Sequence, residues 1–153
     1  MWKQLGSATF LQAAVSVLRT ADADTEQAAR VESWLDTTPR TSRDSMAISL
    51  FQAEFNALRG RHEKAAAIYR ELLTSSDLPP PQRVIVQNNL AMQLVRPETA
   101  AEAKRLIDEA IAEQGPHPSL LDTLGLALLA GGAPGDAVTV LREAALDRMP
   151  EKR

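Results

Sequence analysis

The chain of 153 residues is about one domain's worth, 44% hydrophobic and 24% charged, ordinary proportions for a globular protein. With no cysteine it has no disulfide, thiolate nucleophile or cysteine-bound zinc, and its two histidines, His62 and His117, are too few for most other metal centres. A net charge of -3 argues against nucleic acid as a main partner, because phosphate binding needs clustered Lys and Arg.

No stretch approaches the ~20 consecutive apolar residues of a membrane span. Near the start, Phe10, Leu11, Ala14, Val15 and Leu18 recur at helical spacing and predict an amphipathic helix. Gln4, Ser7, Thr9, Gln12 and Ser16 interrupt the apolar run that a signal peptide would need. Val31, Trp34 and Pro39 end a degraded first hairpin over residues 8–40. Asp24-Thr25-Glu26-Gln27 and Thr41-Ser42-Arg43-Asp44 carry residue types that start helices.

A second hairpin, residues 45–78, contains Ala53, Gly60, Ala65, Tyr69 and Leu72. The segment from Ser75 to Pro81 holds consecutive prolines, which cannot continue a helix, and is expected to be a connecting loop. The third hairpin occupies 84–117. Its β-branched run, Val84-Ile85-Val86, leads directly into a helical pattern, so no strand is predicted. Thr99-Ala100-Ala101-Glu102 has capping-box spacing, in which the Thr oxygen accepts from a backbone N–H and the Glu reaches back. In the fourth hairpin, 118–150, Leu120 to Ala130 is nearly continuous Leu and Ala. Gly131-Gly132-Ala133-Pro134-Gly135 then breaks the pattern, and Asp136 to Leu146 resumes it. Pro81 and Pro118 are expected to open first helices, and Pro134 suits a first helical turn.

The copies coincide by subtraction. At an offset of 34 residues, Leu90 falls on Leu124, Ala91 on Gly125, Leu94 on Leu128, Ala103 on Ala137, Ile107 on Leu141, Ala110 on Ala144 and Pro116 on Pro150. At an offset of 38, Ala53, Gly60, Ala65, Tyr69 and Leu72 fall on Ala91, Glu98, Ala103, Ile107 and Ala110, the four extra residues fitting the proline loop. The expected fold is all-α, a single domain over 1–153 built as an antiparallel helix-hairpin solenoid of about eight helices. Small residues at the repeated positions let paired backbones approach, and each hairpin buries its remaining apolar face against the next.

Leu121, Leu124-Gly125, Leu128, Ala137, Leu141 and Pro150 resemble the signature of the tetratricopeptide repeat, a 34-residue helix–turn–helix unit. Gln87, Leu90-Ala91, Leu94, Ala103, Ile107 and Pro116 repeat it, as do Ala53, Gly60, Ala65 and Tyr69. The likeness covers residues 45–150 well and 8–40 weakly. It departs from the family in having Leu or Ile at most aromatic sites, Pro116 and Pro150 one place late, and Asn56 where Tyr is usual. The structural signature set is Ala53, Gly60, Ala65, Tyr69, Leu90, Ala91, Ala103, Ala110, Leu124, Gly125, Ala137 and Ala144. The resemblance implies a concave groove lined by the first helices, which binds a peptide or partner helix. Carried onto this chain, the lining is Leu50, Glu54, Ala57 and Leu58, then Asn88, Met92, Val95 and Arg96, then Asp122, Leu126 and Leu129. The alternative for Leu126 and Leu129 is packing against adjacent helices. Family members that grip a C-terminal carboxylate use groove Lys and Asn. Asn88 is present, but the lysines are Lys3, Lys64, Lys104 and Lys152, none of them in the lining, so no carboxylate clamp is expected.

Catalytic signals are weak. His62 lies in the turn Gly60-Arg61-His62-Glu63, where the family often places an aromatic ring, and His117 lies between two prolines. Neither stands in a triad pattern. The Gly131–Gly135 run lacks the Lys-Ser/Thr and the preceding strand of a phosphate loop and reads as a tight turn. Lys104 with Asp108 and Arg105 with Glu109 are i, i+4 pairs on a solvated helix face. No catalytic residue, metal or cofactor is expected. Val138, Leu141, Ala145 and Leu146 form a second apolar edge, for which another copy, a further domain or self-association of the last hairpin is the expected cover. The charged ending leaves open that the chain is an excerpt, and the absence of cysteine suits a cytosolic or an exported setting. The leading expectation is a non-catalytic protein–protein interaction module. The alternative is a helical accessory region of a larger multidomain enzyme, and RNA binding by helical repeats is disfavoured by the acidic balance.

Overall fold

A computed structural model describes residues 25–37 and 45–147 and places seven α-helices and no strand among them. These are α1 (Thr25–Thr37), α2 (Ser45–Leu58), α3 (His62–Thr74), α4 (Pro80–Gln93), α5 (Ala100–Gln114), α6 (Pro118–Ala130) and α7 (Pro134–Asp147). The expected helix over 8–18, the start at 41–44, Pro39 and Pro150 lie outside the described residues. The chain divides into two compact units, the first ending at Ile68 and the second beginning at Tyr69, within α3.

In the first unit, Leu35 of α1 and Ile48 and Phe55 of α2 form a buried cluster, with Val31 and Phe51 packed against it. Ala53 of α2 and Ala65 of α3 are fully enclosed. The α2–α3 connection is closed by three backbone bonds, Arg59 N to Phe55 O, Gly60 N to Ala57 O and Arg61 N to Asn56 O. That pattern is a Schellman closure, and it needs the left-handed backbone that Gly60 supplies at φ +70.

In the second unit α4 packs on α5, α5 on α6 and α6 on α7, and α4 also touches α6. The same Schellman bonds recur at the α6–α7 turn, where Gly132 takes φ +80 and Ala133 N donates to Leu128 O. The repeat is thus present in backbone hydrogen bonding as well as in side-chain size. Burial follows it too: Ile48, Val86 and Leu120 are buried at one position, Ala65, Ala103 and Ala137 at another. Leu124 departs from the pattern. It is half-buried, whereas its counterpart Leu90 is in the core.

The middle copy closes differently. It has Pro97 and Glu98 where the others have a tight glycine turn, and its connection is longer, residues 94–99. The expected capping box at Thr99 does not form. Thr99 has φ -119 and ψ 1 and makes no side-chain cap. Its hydroxyl donates instead to Leu94 O at 2.7 Å, a carbonyl just past the end of α4 that also accepts from Arg96 N at 2.8 Å. Glu102 turns away to a forked ion pair with Arg70 on α3, at 3.0–3.1 Å. The proline-rich connection is a loop as expected, though α4 opens one residue early, at Pro80. Arg83 folds back across that loop and donates to Leu73 O at 2.9 Å and Ser75 O at 3.3 Å, so a guanidinium caps the last turn of α3. Lys104–Asp108 and Arg105–Glu109 pair along α5 as the spacing predicts.

One buried polar group is only half satisfied. Gln87 on α4 donates a long bond, 3.4 Å, to Glu109 Oε2, while its Oε1 is buried with no hydrogen-bond partner. An unmet buried acceptor costs about 1–3 kcal/mol. The repeat-equivalent residue, Leu121, is apolar and buried. Gln87→Leu is therefore expected to raise the urea midpoint with an unchanged slope, a gain of about 1 kcal/mol. A lowered midpoint would show that the Glu109 bond outweighs the orphaned oxygen.

Candidate functional site

The first helices of the hairpins each keep one face uncovered. On α4, Asn88 is half-buried and Met92 exposed; on α6, Asp122 is half-buried and Leu126 and Leu129 exposed. Val95, half-buried, and Arg96, exposed, were expected on the same helix but lie beyond its end at Gln93, in the connection to α5. Met92, Leu126 and Leu129 are 43%, 37% and 46% exposed, high values for large apolar side chains on helices whose other faces are core. The structure adds a residue that the sequence reading passed over. Ile85, 56% exposed, precedes Asn88 by three positions and Met92 by seven, and so extends the same stripe of α4 by one turn. Its spacing from Asn88 and Met92 was the available signal.

Since α4 touches α6, these residues belong to two adjacent helices. A side-chain bond fixes their register: the buried Thr123 hydroxyl on α6 donates to Asn88 Oδ1 at 2.7 Å and lies 3.1 Å from Ser119 O. On α2, in the first unit, Leu50, Glu54 and Ala57 are half-buried and Leu58 is exposed. Of the repeat signature, Ala53, Ala65, Tyr69, Leu90, Ala91, Ala103, Ala110, Gly125, Ala137 and Ala144 are all buried, whereas Gly60 forms a turn.

Two concavities accompany these faces. In the first unit, one of about 340 Å³ is lined by Glu32, Gln52, Phe55, Asn56, Lys64 and Ile68, among others. Beside it Arg61 binds Glu32, and that hydrogen-bonded guanidinium holds the Glu32 carboxyl below the usual carboxylate range. Asn56 is buried, its Nδ2 donating to Gln52 O at 2.7 Å. In the second unit, one of about 420 Å³ opens between the N-terminal halves of α4 and α6 and the end of α5.

The two histidines take different places. His62 is the exposed first residue of α3. His117 is no mere linker residue but the N-cap of α6: with φ -137 and ψ 142, its Nδ1 accepts from Ser119 N at 3.4 Å and lies 3.0 Å from Ser119 Oγ. The imidazole nitrogen next to that hydroxyl is thus committed to the helix terminus, which the flanking prolines did not reveal. Among the described residues no three His, Asp or Glu side chains converge as metal ligands, and no helix is long and apolar enough to cross a membrane.

At the far end of the second unit, α7 exposes Val138, Ala145 and Leu146, with Leu141 half-buried. One copy earlier, Ile107 occupies the position of Leu141 and is fully enclosed, on a helix against which α6 packs. Compared with protein-family models, curated proteins and solved structures, the chain matches none of them.

Proposed function

We propose that this chain is a stack of tetratricopeptide-like helical hairpins and acts as a non-catalytic interaction module, docking a peptide or helix of a partner protein on the α4–α6 face. The observation that carries the reading is the run of exposed Ile85, Met92, Leu126 and Leu129 on two touching helices held in register by Thr123 and Asn88. Exposed apolar side chains scattered singly are ordinary, but a contiguous set rimmed by polar groups marks an interaction surface. Asp122, on α6, and Arg96, in the connection that follows α4, supply the orienting charges. Met92 is unbranched and adapts to irregular apolar partners. Recurring small residues, recurring Schellman turns and recurring burial support the hairpin-stack reading.

Met92→Glu combined with Leu126→Glu places two charges on this face without touching the core. The expected result is unchanged helicity by circular dichroism with loss of partner capture by the immobilised chain. Capture retained at the wild-type level would move the binding surface elsewhere. The apolar edge of α7 supports a second mode, contact with another helical hairpin. Leu146→Glu separates the two, because it removes that contact and leaves capture on the α4–α6 face intact.

A further inference from the structure

The α4–α6 concavity has a specific construction. Val84 and Leu120 form a buried apolar floor, Asn88 stands half-buried in the wall, and Gln114, His117 and Ser119 form an exposed rim. No Asp, Glu, Lys or Arg contributes to the lining. Its volume, about 420 Å³, lies in the lower part of the roughly 300–1,000 Å³ range of ligand sites.

From this we infer that the concavity is the receptor for one amphipathic aromatic side chain, tyrosine or tryptophan, of the docked peptide; the inference rests on the docking role of the α4–α6 face and adds the identity of its anchor. A lysine or glutamate entering the cleft would shed water with no opposite charge to meet it, a large desolvation cost. An alanine would leave the floor uncovered. A phenylalanine would cover the floor but displace water from the neutral rim without replacing its hydrogen bonds. Tyrosine and tryptophan carry an apolar body and one polar tip, which matches an apolar floor beneath uncharged hydrogen-bonding groups.

The receptor is also preorganised, which lowers the cost of ordering it on binding. Asn88 is pinned through Oδ1 by the Thr123 hydroxyl. His117 is held by Ser119 through both backbone and hydroxyl. The floor residues sit on helices packed within one unit. Ile85 stands on the lining between this cleft and the Met92 stripe, so an anchored peptide continues directly onto the exposed apolar face.

The test is a titration of the ¹⁵N-labelled full chain with N-acetyl-tyrosinamide and N-acetyl-tryptophanamide, with N-acetyl-lysinamide and N-acetyl-alaninamide as controls. Saturable amide shifts at Val84, Asn88 and Ser119 are expected with the aromatic amides, at least about tenfold weaker with the controls, a difference of roughly 1.4 kcal/mol. Ser119→Trp, at an exposed rim position, fills the cleft and is expected to abolish those shifts with the circular dichroism spectrum unchanged. Equal shifts with all four amides, shifts confined to residues outside the cleft, or shifts at Val84 that survive Ser119→Trp would each overturn the inference. Free amides need no groove, so the two readings fail separately. Absent amide binding beside capture lost in Met92→Glu/Leu126→Glu removes the aromatic receptor and leaves the docking face. Cleft-specific amide binding beside capture that survives the double variant supports the receptor and removes the face.

Discussion

Leu90→Ala is expected to lower the free energy of unfolding by about 2–5 kcal/mol, the usual cost of emptying a core leucine site. Leu124→Ala, at the same repeat position one copy later, is expected to cost clearly less. Leu90 is only 2% exposed, whereas Leu124 is half-buried, so truncation there removes fewer contacts and leaves a site that water already reaches. In the fourth hairpin the adjacent Leu120 and Leu121 are the buried pair. Urea denaturation of the two variants decides the matter. Equal losses would show that repeat position, not local enclosure, sets the cost of truncation.

The second large effect is at Gly125. A Cβ placed there would lie 2.5 Å from both Cγ and Cδ2 of Leu141 on α7, closer than real atoms approach. Replacing a mid-helix glycine ordinarily gains up to about 1 kcal/mol from lower backbone entropy cost and better helix propensity. At this position the clash opposes that gain, and Gly125→Leu is expected to lose about 1–3 kcal/mol net through overpacking. Shortening the neighbour relieves the clash. The double variant Gly125→Leu/Leu141→Ala should therefore lose less than the sum of its single variants, with a coupling of about 0.5–3 kcal/mol, typical of contacting residues. Strict additivity would place the strain somewhere other than the α6–α7 contact. The paired stability measurements also test whether the recurring small residues set the closeness of helix approach.

Local chemistry was legible from residue order alone. Gly60 and Gly132 mark the tight turns because only a residue without Cβ enters the left-handed region easily, and both take it. The prolines have an equally local meaning: they cannot continue a preceding helix, so the chain between α3 and α4 is a loop, while Pro80 and Pro81 fit the first turn of α4, where a missing N–H costs nothing. The Lys104–Asp108 and Arg105–Glu109 pairs follow from the helical pitch. Thr99 shows where such reasoning stops. Its spacing to Glu102 satisfies the capping-box pattern, but competing partners existed for both side chains: the Leu94 carbonyl across the turn, and Arg70 on another helix. A pattern four residues long holds no information about a guanidinium 32 residues upstream. Arg83, capping α3 from inside α4, was illegible for the same reason.

The candidate face was partly legible. Helical spacing places Asn88 and Met92 on one stripe, and Asp122, Leu126 and Leu129 on another, before any tertiary contact is known; Arg96, expected to continue the first, lies past the end of α4. Spacing puts Ile85 on the same stripe, but only the fold decided that it is exposed while its equally apolar neighbours Val84 and Val86 are buried. The cleft beside it requires the end of α5 and the His117 cap to meet α4, an arrangement of segments distant in sequence.

Residue order by itself determined the helices of the described residues, their breaks, the repeating period and the apolar stripe of each helix, because these depend on backbone sterics and on a pitch of 3.6 residues. Only the tertiary structure decided how completely each stripe is covered, which of several competing acceptors a side chain takes, and where uncovered residues on neighbouring helices adjoin. Those outcomes depend on distances between segments far apart in the chain, and residues with the same local pattern, Leu90 and Leu124 among them, meet different neighbours there.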